Sequence, residues 1–307
     1  FPYPWFTKVT RTDVDAIKAY LDTVAPVQQA NKPPALDWWL SWRPMLAGWN
    51  LVNFSAGEFK PDTQKSAQWN RGAYLVEGLG HCGECHTPKR ILGGQKAGQA
   101  LTGGFTRGGI EQGWFAPSLT GERRAGLGGW TIADIVEYLK TGSNAHTASA
   151  GPMSEVITKS TSHFTDADLN AVAVYLKQLP ARATADVAPL GRQRLERGQA
   201  LFTDQCAACH MHDGAGLPGV FPALMDSSAI QALEPATVVR IVLEGASVPA
   251  RTGQRAFIAM PAFGWKLGDA EIADVVTYIR NAWGNRAPLV DAALVAKARS
   301  ALNRAER

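Results

Sequence analysis

The sequence has no run of 18 or more apolar residues, so no segment reads as a membrane-spanning helix. It lacks the Gly-Lys-Ser/Thr of a phosphate loop, and its basic residues are scattered rather than clustered beside a nucleic-acid motif. Nucleic-acid binding is set aside on that ground. No strand-like alternation of useful length occurs, which leaves an all-α class. No Ser/His/Asp set and no pair of carboxylates stands out for independent catalysis. Charge is modest, with 19% charged residues against 46% hydrophobic and a net charge of +4. That mixture excludes disorder and supplies enough apolar side chain for true cores, and 307 residues suit two or three domains. Cysteine is scarce as well, with only four residues, and their placement organises the rest.

The chain repeats itself. Asp13-Val14-x-x-Ile17-x-x-Tyr20-Leu21 matches Asp168-Leu169-x-x-Val172-x-x-Tyr175-Leu176, and both match Glu271-Ile272-x-x-Val275-x-x-Tyr278-Ile279. Apolar positions at steps of three and four behind an acid predict one amphipathic helix used three times. Thr12, Thr165 and Asp269 fit as caps or first-turn residues. Ile135–Gly142 aligns with Val238–Gly245, each ending in a glycine suited to a helix C-terminus. Arg71-Gly72-x-x-Leu75 and Arg197-Gly198-x-x-Leu201 precede the two cysteine pairs. The unit is therefore helix, cysteine pair, loop, helix, loop with one Met, closing helix. It is complete at 68–180 and at 191–284, with a linker at 181–190 and a C-terminal tail at 285–307. Residues 1–27 match only the end of such a unit and are expected to be the remnant of a further N-terminal domain. The start at Phe1, without an initiator Met, reads as that of a mature or truncated product.

The cysteines stand in Cys82-Gly83-Glu84-Cys85-His86 and Cys206-Ala207-Ala208-Cys209-His210. This spacing lets two thiols add to the vinyl groups of one haem while the adjacent imidazole reaches the iron. A zinc site of four cysteines leaves both histidines unexplained, as do disulfides, and thioredoxin-like redox pairs want a βαβ context that is missing here. Two covalently attached haem c groups are expected, with Cys82, Cys85, Cys206 and Cys209 as thioether residues and His86 and His210 on the irons. Gly83 and the Ala207-Ala208 pair suit a tight turn against the porphyrin. Attachment of this kind belongs outside the cytoplasm, so a secretory leader is expected upstream.

Met153 is the one Met between the two cysteine pairs, with His146 and His163 as its rivals. It comes 12 residues before Thr165, and Met260 comes 9 residues before Asp269, at the same landmark. Matching places in a repeat favour His86/Met153 and His210/Met260 as axial pairs, with His146 and His163 as surface or hydrogen-bonding residues. Met211 adjoins the proximal His, and Met225 reads as core filler. Iron closed on both faces passes electrons and does not bind substrate. A dihaem enzyme such as a peroxidase is the competing reading and needs one open iron.

A proximal imidazole usually donates its second N–H to a carbonyl, and Pro117-x-Leu119 and Pro222-x-Leu224 are the expected neighbourhoods. Pro222 follows His210 by 12 residues, whereas Pro117 follows His86 by 31. The first complete unit thus carries a Gly-rich insertion near 89–114, read as a loop over the haem edge, a docking surface or a plain solvent loop. Residues 28–67 form a Trp- and Pro-rich linker with Trp38, Trp39, Trp42 and Trp49. Such residues suit packing across domains or contact with a partner subunit or membrane surface.

Trp69-Asn70-Arg71-Gly72-Ala73-Tyr74, Gly113-Trp114-Phe115-Ala116-Pro117 and Gly151-Pro152-Met153-Ser154-Glu155-Val156 carry a family resemblance, as do Ala259-Met260-Pro261-Ala262-Phe263-Gly264-Trp265 and Tyr278-Ile279-Arg280-Asn281-Ala282-Trp283-Gly284. Over essentially its whole length the chain resembles the three-haem cytochrome c subunits of membrane-associated bacterial dehydrogenases. The resemblance implies tandem class I cytochrome c domains and a third haem in an upstream domain. Phe1-Pro2-Tyr3-Pro4 is similar to the stretch bearing that domain's axial Met, with Phe where members often have Met. It also implies a non-catalytic electron-transfer subunit, partnered by a PQQ-, FAD- or molybdenum-dependent dehydrogenase subunit and a small accessory subunit. Electrons would pass to ubiquinone or another respiratory acceptor. The implied place is the periplasm, peripherally on the outer face of the cytoplasmic membrane. Members often use a C-terminal anchor, whereas Leu289–Arg307 carries Leu294, Val295 and Leu302 among many charges, so any membrane contact there is expected to be weak.

Overall fold

A computed structural model describes residues 2–32, 42–106, 113–182, 187–247 and 259–305. Phe1, Trp38, Trp39, Gly108, Gly109 and most of the 181–190 linker's centre lie outside the described residues. About 48% of the chain is helical and only 4% is strand, as an all-α class requires. In order, the helices are α1 (Tyr3–Phe6), α2 (Arg11–Leu21), α3 (Arg43–Asn53), α4 (Ala67–Tyr74), α5 (Gly83–His86), α6 (Ile132–Thr141) and α7 (Pro152–Lys159). Then follow α8 (Asp166–Lys177), α9 (Arg192–Gln205), α10 (Ala207–His210), α11 (Ser228–Gln231), α12 (Ala236–Glu244), α13 (Asp269–Ile279) and α14 (Ala292–Ala305). The described strands are β1 (Gly104–Phe105) and β2 (Phe115–Ala116), which pair antiparallel.

The three repeated helices form as their pattern predicts, as α2, α8 and α13. Thr165 Oγ1 caps α8 by accepting from the Asp168 amide at 3.2 Å. In α2 the cap is Thr10, whose hydroxyl accepts from Asp13 N at 3.3 Å, and Thr12 sits in the first turn. Gly268 precedes α13 and its amide donates to the Glu271 carboxylate at 2.8 Å. Gly142 (φ 90°) and Gly245 (φ 78°) end α6 and α12 in the left-handed region that favours glycine.

Two hydrophobic clusters hold these helices. The first joins Ala73, Leu75 and Val76 to Trp130, Ile135, Val172, Tyr175 and Leu176. The second joins Phe202 to Val239, Ile272, Val275, Val276, Val290 and Val295. In each, the closing helix lies across the helix that leads into a cysteine pair, α8 on α4 and α13 on α9. Ion pairs tie the same crossings, Arg71 to Asp168 at 2.7 Å and Arg197 to Asp274 at 3.4 Å. The expected tail at 285–307 is not a tail in the structure. Val295, Ala298 and Ala301 of α14 are buried, Leu294 and Leu302 pack on the second cluster, and Arg299 donates to Asp269 and to the Leu267 carbonyl. Burial of that apolar stripe extends the second unit beyond residue 284.

Helix α2 departs from its siblings. Tyr20 and Leu21 are 69% and 59% exposed, whereas Tyr175 and Leu176 are 5% and 4%. Its acid Asp13 accepts from the Tyr74 hydroxyl of the next unit, whose oxygen in turn accepts from Thr10 N. In the 28–67 segment, α3 packs across units. Trp49 Nε1 donates to Leu92 O at 2.8 Å, and the Trp49 ring meets Tyr3 edge-on at 6.2 Å. Leu46, Leu51 and Val52 on the same helix are exposed.

Candidate haem sites

Each cysteine pair lies on a single tight turn. His86 N donates to Cys82 O at 3.0 Å, and His210 N donates to Cys206 O at the same distance. That turn puts the second thiol and the histidine on successive positions one turn beyond the first thiol. Cys82 belongs to the first hydrophobic cluster and Cys206 to the second, so the four thiols do not converge on one centre. Among the described residues no group of three or more His, Cys, Asp or Glu is placed to hold a metal ion by itself. A four-thiolate zinc site is therefore not what the fold builds.

The histidines repeat the same geometry. His86 Nδ1 lies 2.7 Å from the Pro117 carbonyl, and His210 Nδ1 lies 3.0 Å from the Pro222 carbonyl. A carbonyl oxygen only accepts, so each Nδ1 carries the proton and each Nε2 keeps its lone pair. Burial lowers the pKa of both imidazoles, and the carbonyl contact opposes that shift without cancelling it. Both rings are thus held neutral, in one tautomer and one orientation, as an iron ligand must be. Burial also pushes the Cys82 and Cys206 thiols up to about 11. These features fit a covalently bound haem c at each pair: two thiols on one turn, and an aimed neutral imidazole directly after them.

The carbonyls come from equivalent places by different routes. In the second unit, residues 211–221 make a short loop. In the first, the inserted stretch supplies β1 and β2 before Pro117. Gly103 N donates to His86 O at 2.8 Å, and a side chain on Gly104 would strike the Thr87 and Cys85 carbonyls. Gly103 and Gly104 of the insertion are therefore folded against the cysteine turn.

Gly83 also makes room for the N-terminal segment. A β-carbon there would stand 2.2 Å from the Trp5 ring, and Trp5 Nε1 donates to the Glu84 carboxylate at 2.9 Å. The N-terminal segment thus docks on the turn, and Phe6 adds an edge-on contact to His81 at 5.5 Å. Sequence reasoning missed Trp5. Its signal is a large aromatic in a segment that otherwise lacks a core of its own.

Met153 lies in the first turn of α7, half-buried, after Gly151-Pro152. Met260 is half-buried on the second cluster and exchanges both backbone hydrogen bonds with Ala246, at 3.1 and 2.8 Å. The rival histidines are engaged elsewhere. His146 stacks on Trp130 at 5.2 Å with Nε2 3.4 Å from Asp134, and exposed His163 lies 3.2 Å from the Thr158 carbonyl.

Comparison with known proteins agrees with this geometry. The Cytochrome c family matches residues 195–283. The gluconate 2-dehydrogenase cytochrome c subunit of Pantoea cypripedii is 38% identical over 305 residues, covering 93% of this chain and 68% of its own length. The cytochrome c subunit of the quinone alcohol dehydrogenase of Gluconacetobacter polyoxogenes is 38% identical, over 97% of this chain and 67% of its own. The fructose dehydrogenase cytochrome subunit of Gluconobacter japonicus is 32% identical, over 97% and 66%.

Proposed function

The chain belongs to the cytochrome c subunits of dehydrogenase complexes, and from that premise we propose a two-haem relay between a catalytic dehydrogenase subunit and ubiquinone or another respiratory acceptor. Membership carries the coarser statement by itself: this is an electron-transfer subunit, not a catalytic one. The relay runs through one haem c on Cys82 and Cys85 and another on Cys206 and Cys209, in tandem domains at 68–180 and from 191 through α14. When bound, haem c supplies one-electron iron chemistry.

This chain's residues supply the rest. Thioethers tether each group so that it cannot leave. His86 and His210, oriented by Pro117 and Pro222, keep Nε2 free to hold an iron. Met153 and Met260 would hold the same irons through sulfur, which would leave no place for substrate and favour the reduced state relative to bis-imidazole ligation. The partner is a PQQ-, FAD- or molybdenum-dependent subunit, joined by a small accessory subunit. The complex sits in the periplasm, held peripherally on the outer face of the cytoplasmic membrane.

One observation carries the two-site reading: the same turn, the same neutral tautomer and the same proline carbonyl occur twice, in two separate clusters. Intact mass of the mature protein and a pyridine haemochrome count test it. Two added porphyrins per chain are expected, and fewer than two would overturn the proposal.

A further inference from the structure

The insertion that lengthens the first unit is bound to the second unit. Thr237 of α12 meets Phe115 of β2 with a single hydroxyl, which accepts from Phe115 N at 2.9 Å and donates to Phe115 O at 2.9 Å. Thr106 N donates to Trp114 O across the ribbon, so the Phe105–Phe115 pair is the one whose backbone groups turn outward. Thr237 therefore satisfies both polar groups on the ribbon's open edge, using the one donor and one acceptor that a hydroxyl offers.

Three positions further along α12, Arg240 lies over the Trp114 ring, 5.0 Å from its centroid. Its fork is held by Glu244 at 2.7 and 3.1 Å. The Trp114 ring also lies against Gly151, where a β-carbon would stand 2.4 Å from it. Gln231 Nε2 of the second unit also reaches Arg124 O of the first at 3.5 Å.

Both sides of this junction run directly into ligand-bearing segments. Phe115 stands two residues before Pro117, whose carbonyl orients His86. Gly151 stands two residues before Met153. On the other side, α12 ends at Gly245, and Ala246 is paired with Met260. The contact thus joins the segments that flank the first iron site to the segment that carries the second unit's Met.

We infer that Thr237, Arg240 and Trp114 form the joint that fixes the two haem sites relative to each other, as positioning residues for electron passage between them. The inference rests on the two-haem relay proposed above. The step is one electron: a ferrous iron at one site becomes ferric as the ferric iron at the other becomes ferrous, and no bond or proton moves. Transfer between fixed centres falls exponentially with their separation, so a joint that holds the gap constant sets the rate. The double contact on Phe115 stops sliding of the ribbon along α12, and the Arg240–Trp114 contact stops rocking about it. The negative face of the indole attracts the guanidinium, which holds that contact in place.

The test uses the full haem-loaded chain with Thr237→Val combined with Arg240→Ala, and Thr237→Ser alone as the conservative control. Val keeps the shape of Thr but can neither donate nor accept. In the double variant both haems should keep their wild-type spectra, and the Phe115 amide should lose protection from hydrogen exchange. Intramolecular electron equilibration after flash reduction should slow severalfold, because a loosened joint widens the gap that the electron crosses. Thr237→Ser should leave both readouts near wild type. Unchanged protection at Phe115, or an equilibration rate unaltered in the double variant, would overturn the inference. A wild-type chain with two haems that exchange no electron would overturn the relay, and the joint's role with it.

Discussion

Gly72 lies so close to Ala171 that a β-carbon there would stand 2.0 Å from the Ala171 carbonyl oxygen. The second unit repeats the relationship, with Gly198 against Asp274 O at 2.2 Å. In both, the β-carbon of the closing-helix tyrosine, Tyr175 or Tyr278, is the next neighbour, at 2.8 and 2.7 Å. Glycine is required at each crossing because backbone meets backbone and neither can give way. Gly72→Ala is expected to destabilise by roughly 2–3 kcal/mol, the usual cost of overfilling a packed contact. Urea unfolding of the variant beside wild type measures it, and a midpoint equal to wild type would refute the crossing as described.

Arg280 is fully buried, and its guanidinium donates to Ile230 O at 2.9 Å, Ala232 O at 2.8 Å, Leu233 O at 3.3 Å and Pro288 O at 3.3 Å. Burial pulls its pKa down to about 10, against the smaller opposing pull of Glu234. The side chain still carries its charge at neutral pH and ties the α11 region to the stretch before α14. Arg280→Met should cost roughly 3–5 kcal/mol, because several carbonyls lose their donors in a dry site. Arg280→Lys should recover only part of that loss, since an ammonium cannot reproduce the planar fork. Thermal unfolding of the two variants gives the comparison.

The Arg71–Asp168 pair makes stability depend on acid. The Arg71 guanidinium bonds hold the Asp168 carboxyl below its ordinary range, with burial pushing the other way. A carboxyl depressed in the folded state adds stability above its unfolded pKa, and that addition is lost as pH falls through the folded value. Arg71 is about half exposed, so the gain is screened to roughly 0.5–1 kcal/mol. Asp168→Asn should therefore be less stable than wild type at pH 7, and the gap should narrow as pH falls through the lowered folded value. Denaturant midpoints at pH 7 and across the acid range decide the matter.

Met260→Ala should remove the sulfur ligand from one iron while the fold persists. Ala246 and Met260 pair through backbone atoms alone, which alanine retains. The sulfur-to-iron charge-transfer absorption of one haem should vanish, and its reduction potential should fall. A spectrum and potential identical to wild type would reject Met260 as ligand.

Much of this was legible in the sequence because local physics decides it. The three amphipathic patterns became α2, α8 and α13, the two C-x-x-C-H motifs became single turns, and Pro117 and Pro222 supply the carbonyls beside His86 and His210. Other features escaped because burial is a property of two surfaces, not one. The α2 stripe resembles that of α8 residue for residue, yet Tyr20 is 69% exposed and Tyr175 is 5%. The reverse holds for α14, which lies beyond the repeat and reads from sequence as a tail. Arg299 turns inward to Asp269 and the Leu267 carbonyl, and Val295 is completely buried.

The residue order alone determined where helices form, which thiols share a turn and which histidine follows each pair, since hydrogen bonds three and four residues apart need no partner from elsewhere in the chain. Only tertiary structure decided that Trp5 sits on Gly83, that Thr237 takes both backbone groups of Phe115, and that Arg280 gathers four carbonyls. Those contacts span from 8 to 122 residues of sequence. They arise when packed elements bring unsatisfied polar groups and open ring faces together, a condition that no single segment contains.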